Sequence, residues 1–162
     1  MSDFRIRGPL PHEASALANV HTETWRQTYS GIFPENMWDE AARERRVTMW
    51  QAICSRSGSD TTTAVAERSD VILGFAHAGS STEEDAPCER VLWFIYLLAE
   101  AHGSGAAQQL MNAVVGDAPA YLWVLESNER ARAFYAKNGF TPDGIARPLE
   151  FAPGHNEIRM VR

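Results

Sequence analysis

The sequence predicts an α/β fold: a mixed, mostly antiparallel, twisted sheet of about six or seven strands with helices on both faces. Three observations carry that expectation. Two long stretches near the N-terminus repeat apolar residues at helical spacing. Two apolar, aromatic-rich runs, "ERVLWFIYLLA" and "AYLWVLESN", are each followed by a shorter helical pattern. Two pairs of strand-like segments, one joined by a tight polar turn and one at the C-terminus, supply antiparallel neighbours.

In chain order, "FRIR" (Phe4 to Arg7) alternates and reads as a short strand. In "PLPHEASALANVHTETWRQTYSG", Ala14, Leu17, Ala18, His21, Trp25 and Thr28 share one helical stripe, and Gly31 is a stop. A second helix opens at Pro34, with Trp38, Ala42, Met49 and Ile53 partly on one side, and "SGSD" breaks it. "TTTAVAERSD" and "VILGFAHAGSS" are strands joined at Ser69-Asp70 into a hairpin, and "STEEDAP" is a loop. "ERVLWFIYLLA" is the most hydrophobic strand and reads as central and buried on both faces. Ala107, Leu110, Met111 and Val114 mark the next helix, and "AYLWVLESN" another buried strand. "ERARAFYAKNGF" is a short helix stopped at Asn138-Gly139, and "TPDGIARPLEF" and "GHNEIRMVR" close the chain as a hairpin. Together they fill one domain, residues 1–162.

Charge and composition exclude several classes of function. The net charge is −6 with no Lys/Arg-rich block, which argues against a nucleic-acid partner and suits cationic small molecules better. Cys54 and Cys88 have neither metal-ligand spacing nor a disulfide framework, and the N-terminus lacks the apolar core of a signal peptide, so the expectation is cytoplasmic. The longest apolar run, Val91 to Ala99, is too short to span a membrane. His12-Glu13 begins H-E-x-x-H, but Ala16 stands where the second histidine belongs; no metal is expected. A G-x-S-x-G nucleophile elbow is absent, and His77, in a strand, reads as structural. The last strands can also pair between two copies, which leaves a homodimer open.

The stretch "YLLAEAHGSGAAQQLM" carries the first chemical signal. A helix N-terminus presents unpaired N–H groups and about half a positive charge, and so forms an anion site. Gly103 and Gly105 let a ligand approach those amides without a Cβ in the way. Ala106 and Ala107 keep the first turn slim, and Ser104 can add a hydroxyl donor. The plainer reading is that the glycines only make a turn. The dinucleotide pattern G-x-G-x-x-G fails at Gln108, and no Walker pattern occurs. The second signal is Asn128 and Tyr135, seven apart and therefore nearly in line along a helix, separated by about 10 Å. A linear arm beside that helix can touch both. Asn128 also suits an N-cap, and Tyr135 a core aromatic.

Together these two stretches, "IYLLAEAHGSGAAQQLM" and "LWVLESNERARAFYAKNGF", resemble the GNAT superfamily of acetyl-CoA-dependent N-acetyltransferases, and the order of elements resembles it over the whole chain. The resemblance implies that Gly103 to Ala107 hold the pyrophosphate of acetyl-CoA, used as a co-substrate. It also implies that the strand around Leu97 and Leu98 splays from its neighbour and bonds the pantetheine arm. Asn128 would meet pantetheine, and Tyr135 would face the thioester sulfur. "HTETWRQTYSGIFP" is similar to a stretch that walls the acceptor pocket in one group of these proteins. Trp25 and Tyr29, on one side of the helix, are pocket candidates there, or core aromatics. The pattern departs from the family at His102, where Gln or Arg is usual; acetyl-CoA binding is expected to be weaker and more pH-dependent for it.

The implied reaction is direct acetyl transfer to a primary amine of a small molecule or peptide. Such an amine arrives protonated, since its pKa is about 10, so a base must act. Glu126, at the end of a buried strand, is the nearest carboxylate in sequence, with Glu100 a second candidate; each can equally be a surface group. A backbone N–H near Leu97 would polarise the thioester carbonyl. Proton donation from Tyr135 to the thiolate is uphill by roughly 2 kcal/mol, so Tyr135 needs a lowered pKa or acts mainly as a hydrogen-bond donor. The alternative is a non-catalytic acyl-CoA sensor on the same fold. A third reading, a nucleotide- or phosphosugar-binding protein, leaves Asn128 and Tyr135 without a role.

Overall fold

The structure, a computed structural model, describes residues 3–56 and 60–162. Strand β1 (Arg5–Arg7) leads through a 3₁₀ turn into helix α1 (Ala14–Tyr29). Arg7 lies between Glu13, whose carboxylate it meets at 2.5 and 2.9 Å, and Glu67, and so ties the start of α1 to the sheet. Helix α2 spans Glu40–Ser55 rather than opening at Pro34. Asp39 explains the difference: its carboxylate accepts the Ala42 N–H at 2.8 Å and caps the helix there, leaving Glu35–Trp38 as a 3₁₀ turn. The buried side of α2 is Ala42, Arg46, Trp50, Ile53 and Cys54, so Trp50, not Trp38 or Met49, is its anchor. Residues 57–59 of the expected "SGSD" break lie outside the described residues.

Strands β2 (Thr62–Arg68) and β3 (Val71–Ser80) form the expected hairpin. Ser69 and Asp70 both take positive φ, 49° and 64°, the geometry of a two-residue turn that matches strand twist. Then follow β4 (Arg90–Leu97), α3 (Ala106–Val114), β5 (Tyr121–Leu125), α4 (Glu129–Lys137), β6 (Thr141–Pro148) and β7 (Asn156–Val161). The sheet has seven strands in the order β1-β2-β3-β4-β5-β7-β6. Every neighbouring pair is antiparallel except β4 with β5. The sheet is therefore mixed and mostly antiparallel, as the sequence predicts.

Alternation sorts the strand side chains onto two faces. Ala64, Ala66, Leu73, Leu92, Leu122 and Val124 pack with α3 and with Tyr135 of α4. Val65, Ile72, Phe75, Phe94 and Tyr96 pack with α1 and α2. At the centre of this second cluster His21 is ringed by Trp25, Trp50, Phe75, Phe94 and Tyr96.

One feature of β4 departs from the sequence reading. It is central, but only Val91 and Leu92 are fully buried; from Trp93 onward the strand is half-buried or exposed. The parallel register with β5 covers only Val91↔Tyr121 and Leu92↔Leu122, and beyond them no ladder joins the two strands among the described residues. A bulge between His77 and Ala78 in the pairing of β3 with β4 falls at the same level and bends the strand. The sheet opens into a V.

His21 and His77 are both held neutral by the fold. Trp50 Nε1 donates to His21 Nδ1 at 3.2 Å, and burial, with Arg46 nearby, pushes His21 down to about 3. His77, 2.7 Å from Thr63 Oγ1, is pushed down to about 4 by burial and by Arg56. The unfolded chain protonates both near about 6.5, so below that pH the unfolded state binds more protons and the fold loses stability. At pH 5 each histidine costs about 2 kcal/mol relative to pH 7.5. Urea denaturation at the two pH values checks this, and His77→Asn should remove about half of the drop. Equal stability at both values contradicts buried neutral histidines.

Candidate functional site

The V continues as a cleft of about 980 Å³ that passes from the α3–α4 face of the sheet to the α1 face. Its first end is the turn between β4 and α3. Gly103 and Gly105 have φ of 78° and 88°, and a Cβ at either would meet nothing within 4 Å, so the turn faces open space. Both conformations suit glycine. Among the described residues the amides of Gly103, Gly105, Ala107 and Gln108 have no internal hydrogen-bond acceptor, as the start of a helix dictates. Ser104 does not offer its hydroxyl outward: Oγ donates to Ala101 O at 2.6 Å and accepts from Ala106 N at 3.2 Å. Ala106 is fully buried in the core.

His102 is exposed, with Nε2 3.0 Å from Leu97 O. Partial burial and the nearby Arg130 hold it below the ordinary histidine value, opposed by the Leu97 carbonyl. It is therefore neutral at pH 7 and pins the turn to the end of β4. Leu97 lines the cleft, whereas Leu98 does not; its amide is already donated to Leu73 O at 2.8 Å.

Asn128 and Tyr135 share the cleft wall. Asn128 is the N-cap of α4, its Oδ1 accepting from Ala131 N at 3.2 Å. Tyr135 is 8% exposed, beside Phe134 and Phe140, and its hydroxyl has no hydrogen-bond partner among the described residues. Burial and then Tyr96 push the phenol well above its ordinary value, the opposite of the lowering that full proton donation needs.

Across the V, α1 and the following loop contribute an aromatic wall. Trp25 lies edge-on to Tyr29 at 5.0 Å, and Tyr29 stacks on Phe33 at 4.3 Å. The hydroxyls of Tyr29 and Tyr96 meet at 3.2 Å, and burial raises both phenols. Trp25 Nε1 is buried and has no hydrogen-bond partner among the described residues.

The model of the acetyltransferase (GNAT) family matches residues 17–140. The chain belongs to the GNAT acetyltransferase family, and is an acyltransferase. It is 28% identical over 147 residues to the uncharacterized N-acetyltransferase YuaI of Bacillus subtilis, covering 87% of this chain and 81% of that one. A probable N-acetyltransferase of Mycobacterium tuberculosis is 25% identical over 146 residues, 88% of this chain and 83% of its own. In fold it is similar to the PaiA N-acetyltransferase of Thermoplasma acidophilum solved in complex with coenzyme A, with a TM-score of 0.71, 19% identity, and coverage of 96% and 97%. An N-acetyltransferase of Staphylococcus aureus gives 0.72 at 18% identity, covering 99% and 98%.

Against this GNAT background, the candidates divide. The cleft brings together Trp25, Tyr29, Leu97, His102, Gly103, Gly105, Ala107, Asn128 and Tyr135, and leaves Leu98, Ser104 and Ala106 behind it. Glu126 and Glu100, the expected bases, are exposed and are not among the cleft residues. The reason for Glu126 is local: β5 ends at Leu125, and the Glu126 backbone turns away to bond Asn156 and Arg132. The carboxylates that do line the cleft are Glu83 and Glu157, bridged by Arg147 at 3.0 and 2.5 Å. Desolvation raises Glu83, but bonds from Tyr121, Trp123 and Arg147 outweigh it and hold the carboxyl below its usual value. Arg130 and Lys137 line the cleft as well. Arg130 follows the cap Asn128 by two residues and Lys137 follows Arg130 by seven, a local pattern the sequence offers. Replacing the cap, Asn128→Ala, should cost about 1 kcal/mol in urea denaturation; unchanged stability contradicts the capping role.

Proposed function

We propose that the protein transfers the acetyl group of acetyl-CoA directly to a primary amine of a small molecule or peptide, in the opening between β4 and β5. One observation carries the reading: unpartnered loop amides under bare glycines, an open strand edge and the free Tyr135 hydroxyl all face one cleft. The fold neighbour solved with coenzyme A supports it. Acetyl-CoA brings the activated thioester. The amides of Gly103, Gly105, Ala107 and Gln108 hold its diphosphate at the start of α3. Arg130 and Lys137 add the positive charge that a neutral His102 does not. The unladdered edge of β4 bonds the pantetheine arm, and an N–H near Leu97 polarises the thioester carbonyl.

The ammonium first loses a proton to water in the open cleft. The free amine attacks the thioester carbonyl, the C–S bond breaks, and the second N–H proton passes to the departing sulfur, so CoA leaves as the thiol. Tyr135 is a neutral hydrogen-bond donor to the sulfur, because its raised pKa keeps the proton on the phenol. No metal takes part in this scheme, and the acceptor enters from the α1 side. Calorimetry with acetyl-CoA and thiol release with a panel of amines test the proposal. Tyr135→Phe should lower kcat about tenfold or more and leave the acetyl-CoA Kd within about twofold. Unchanged kcat removes Tyr135 from the reaction, and wild-type protein that binds no acetyl-CoA overturns the whole reading.

A further inference from the structure

The far end of the cleft has its own chemistry. Its wall is aromatic: Trp25, Tyr29 and Phe33, with Phe151 edge-on to Phe33 at 5.0 Å. Trp93 and Phe151 line the same cleft and are 42% and 40% exposed, so their rings are open to a ligand. Among the described residues lining this end, Glu83 and Glu157 stand against Arg147, which leaves one negative charge in excess at the cleft surface; Arg46, 4.9 Å over the Trp25 ring, is buried behind the wall. The charge of Arg147 is already outweighed by the two carboxylates it bridges through Nε and Nη1. The Arg147 guanidinium lies 3.8 Å over the Trp123 ring. Glu157 sits on β7 opposite Leu125, where β5 ends at the V, and its charge reaches both Tyr29 and Tyr96. The buried Tyr135 hydroxyl, unpartnered among the described residues, belongs to a residue lining the same cleft as Tyr29, Tyr96 and Glu157, so the acidic group and the catalytic candidate share one space.

Resting on the acetyl-transfer reading, we infer that this end takes a monocationic primary amine on an aromatic or apolar body, its ammonium facing Glu157. The excess of one negative charge matches one ammonium. The rings add apolar contact and can stabilise the cation through their faces. A zwitterionic amino acid would bring its carboxylate against Glu83 and Glu157, whose two charges exceed that of Arg147 beside them. A polyamine would bring more positive charge than the site compensates and little to fill the aromatic wall.

The test uses 2-phenylethylamine, L-phenylalanine and spermidine as acceptors in a thiol-release assay, with acetyl-CoA affinity measured in parallel by calorimetry. Phenylethylamine should exceed both others in kcat/KM by about tenfold or more. Glu157→Gln should raise its KM by about tenfold with the acetyl-CoA Kd unchanged. Phe151→Ala, which removes a 40% exposed ring from the wall, should narrow the preference for phenylethylamine over spermidine. With acetyl-CoA binding intact, a preference for phenylalanine or spermidine, or an unchanged KM in Glu157→Gln, overturns the acceptor assignment and leaves acetyl transfer standing. Loss of acetyl-CoA binding in the wild-type protein overturns both.

Discussion

Everything at the site depends on the parting of β4 from β5. Parallel pairing stops after Leu92 and Leu122, and β4 then keeps β3 as its partner while β5 keeps β7. A sheet that stayed paired would separate the α3–α4 face from the α1–α2 face completely. Because it opens, a ligand held by the α3 turn on one face can present its end to a second molecule arriving from the other. The bulge opposite His77 and Ala78 and the large rings of Phe94 and Tyr96 hold β4 against α1 and α2, away from β5. The neutral His21 at the centre of those rings is part of that support: a charged ring there has no carboxylate beside it and Arg46 nearby.

The opening is also polarised. His102, Arg130 and Lys137 lie toward the α3–α4 end, and Glu83 and Glu157 lie with Arg147 toward the other. A ligand carrying phosphates and one carrying an ammonium are thus drawn to opposite ends of one cleft. Between the ends stand three tyrosines, Tyr29, Tyr96 and Tyr135, all kept protonated by burial. Neutral phenols at the junction can donate hydrogen bonds without adding charge to either side.

The sequence made part of this legible, and the division has a physical cause. Gly103, Gly105, Ala107, Asn128 and Tyr135 sit in short strand-to-helix units whose geometry is set by neighbours in the chain, so spacing and residue type sufficed to bring them to one cleft wall, whereas Ser104 and Ala106, expected with them, turn inward. The hairpin at Ser69-Asp70 was legible for the same reason. Trp50 was missed because the expected stripe ran through its neighbour Met49; which of two adjacent residues faces inward is decided by packing on α1 and the sheet, where Trp50 meets His21 and Phe75. Glu157 and Arg147 were missed because their position depends on β7 lying between β5 and β6, a pairing no local pattern states. Glu126 and Glu100 were close to the chemistry in sequence only; the backbone turns each of them into solvent.

Hydrogen–deuterium exchange with and without acetyl-CoA measures the central claim most directly. Acetyl-CoA bound as proposed touches the open edge of β4 and the first turn of α3. Amides from Ile95 to Leu97 and from Gly103 to Gln108 should slow on adding acetyl-CoA, while those of β2 and β6 stay as they were. Slowed exchange confined to other segments, with these amides unaffected, would contradict it.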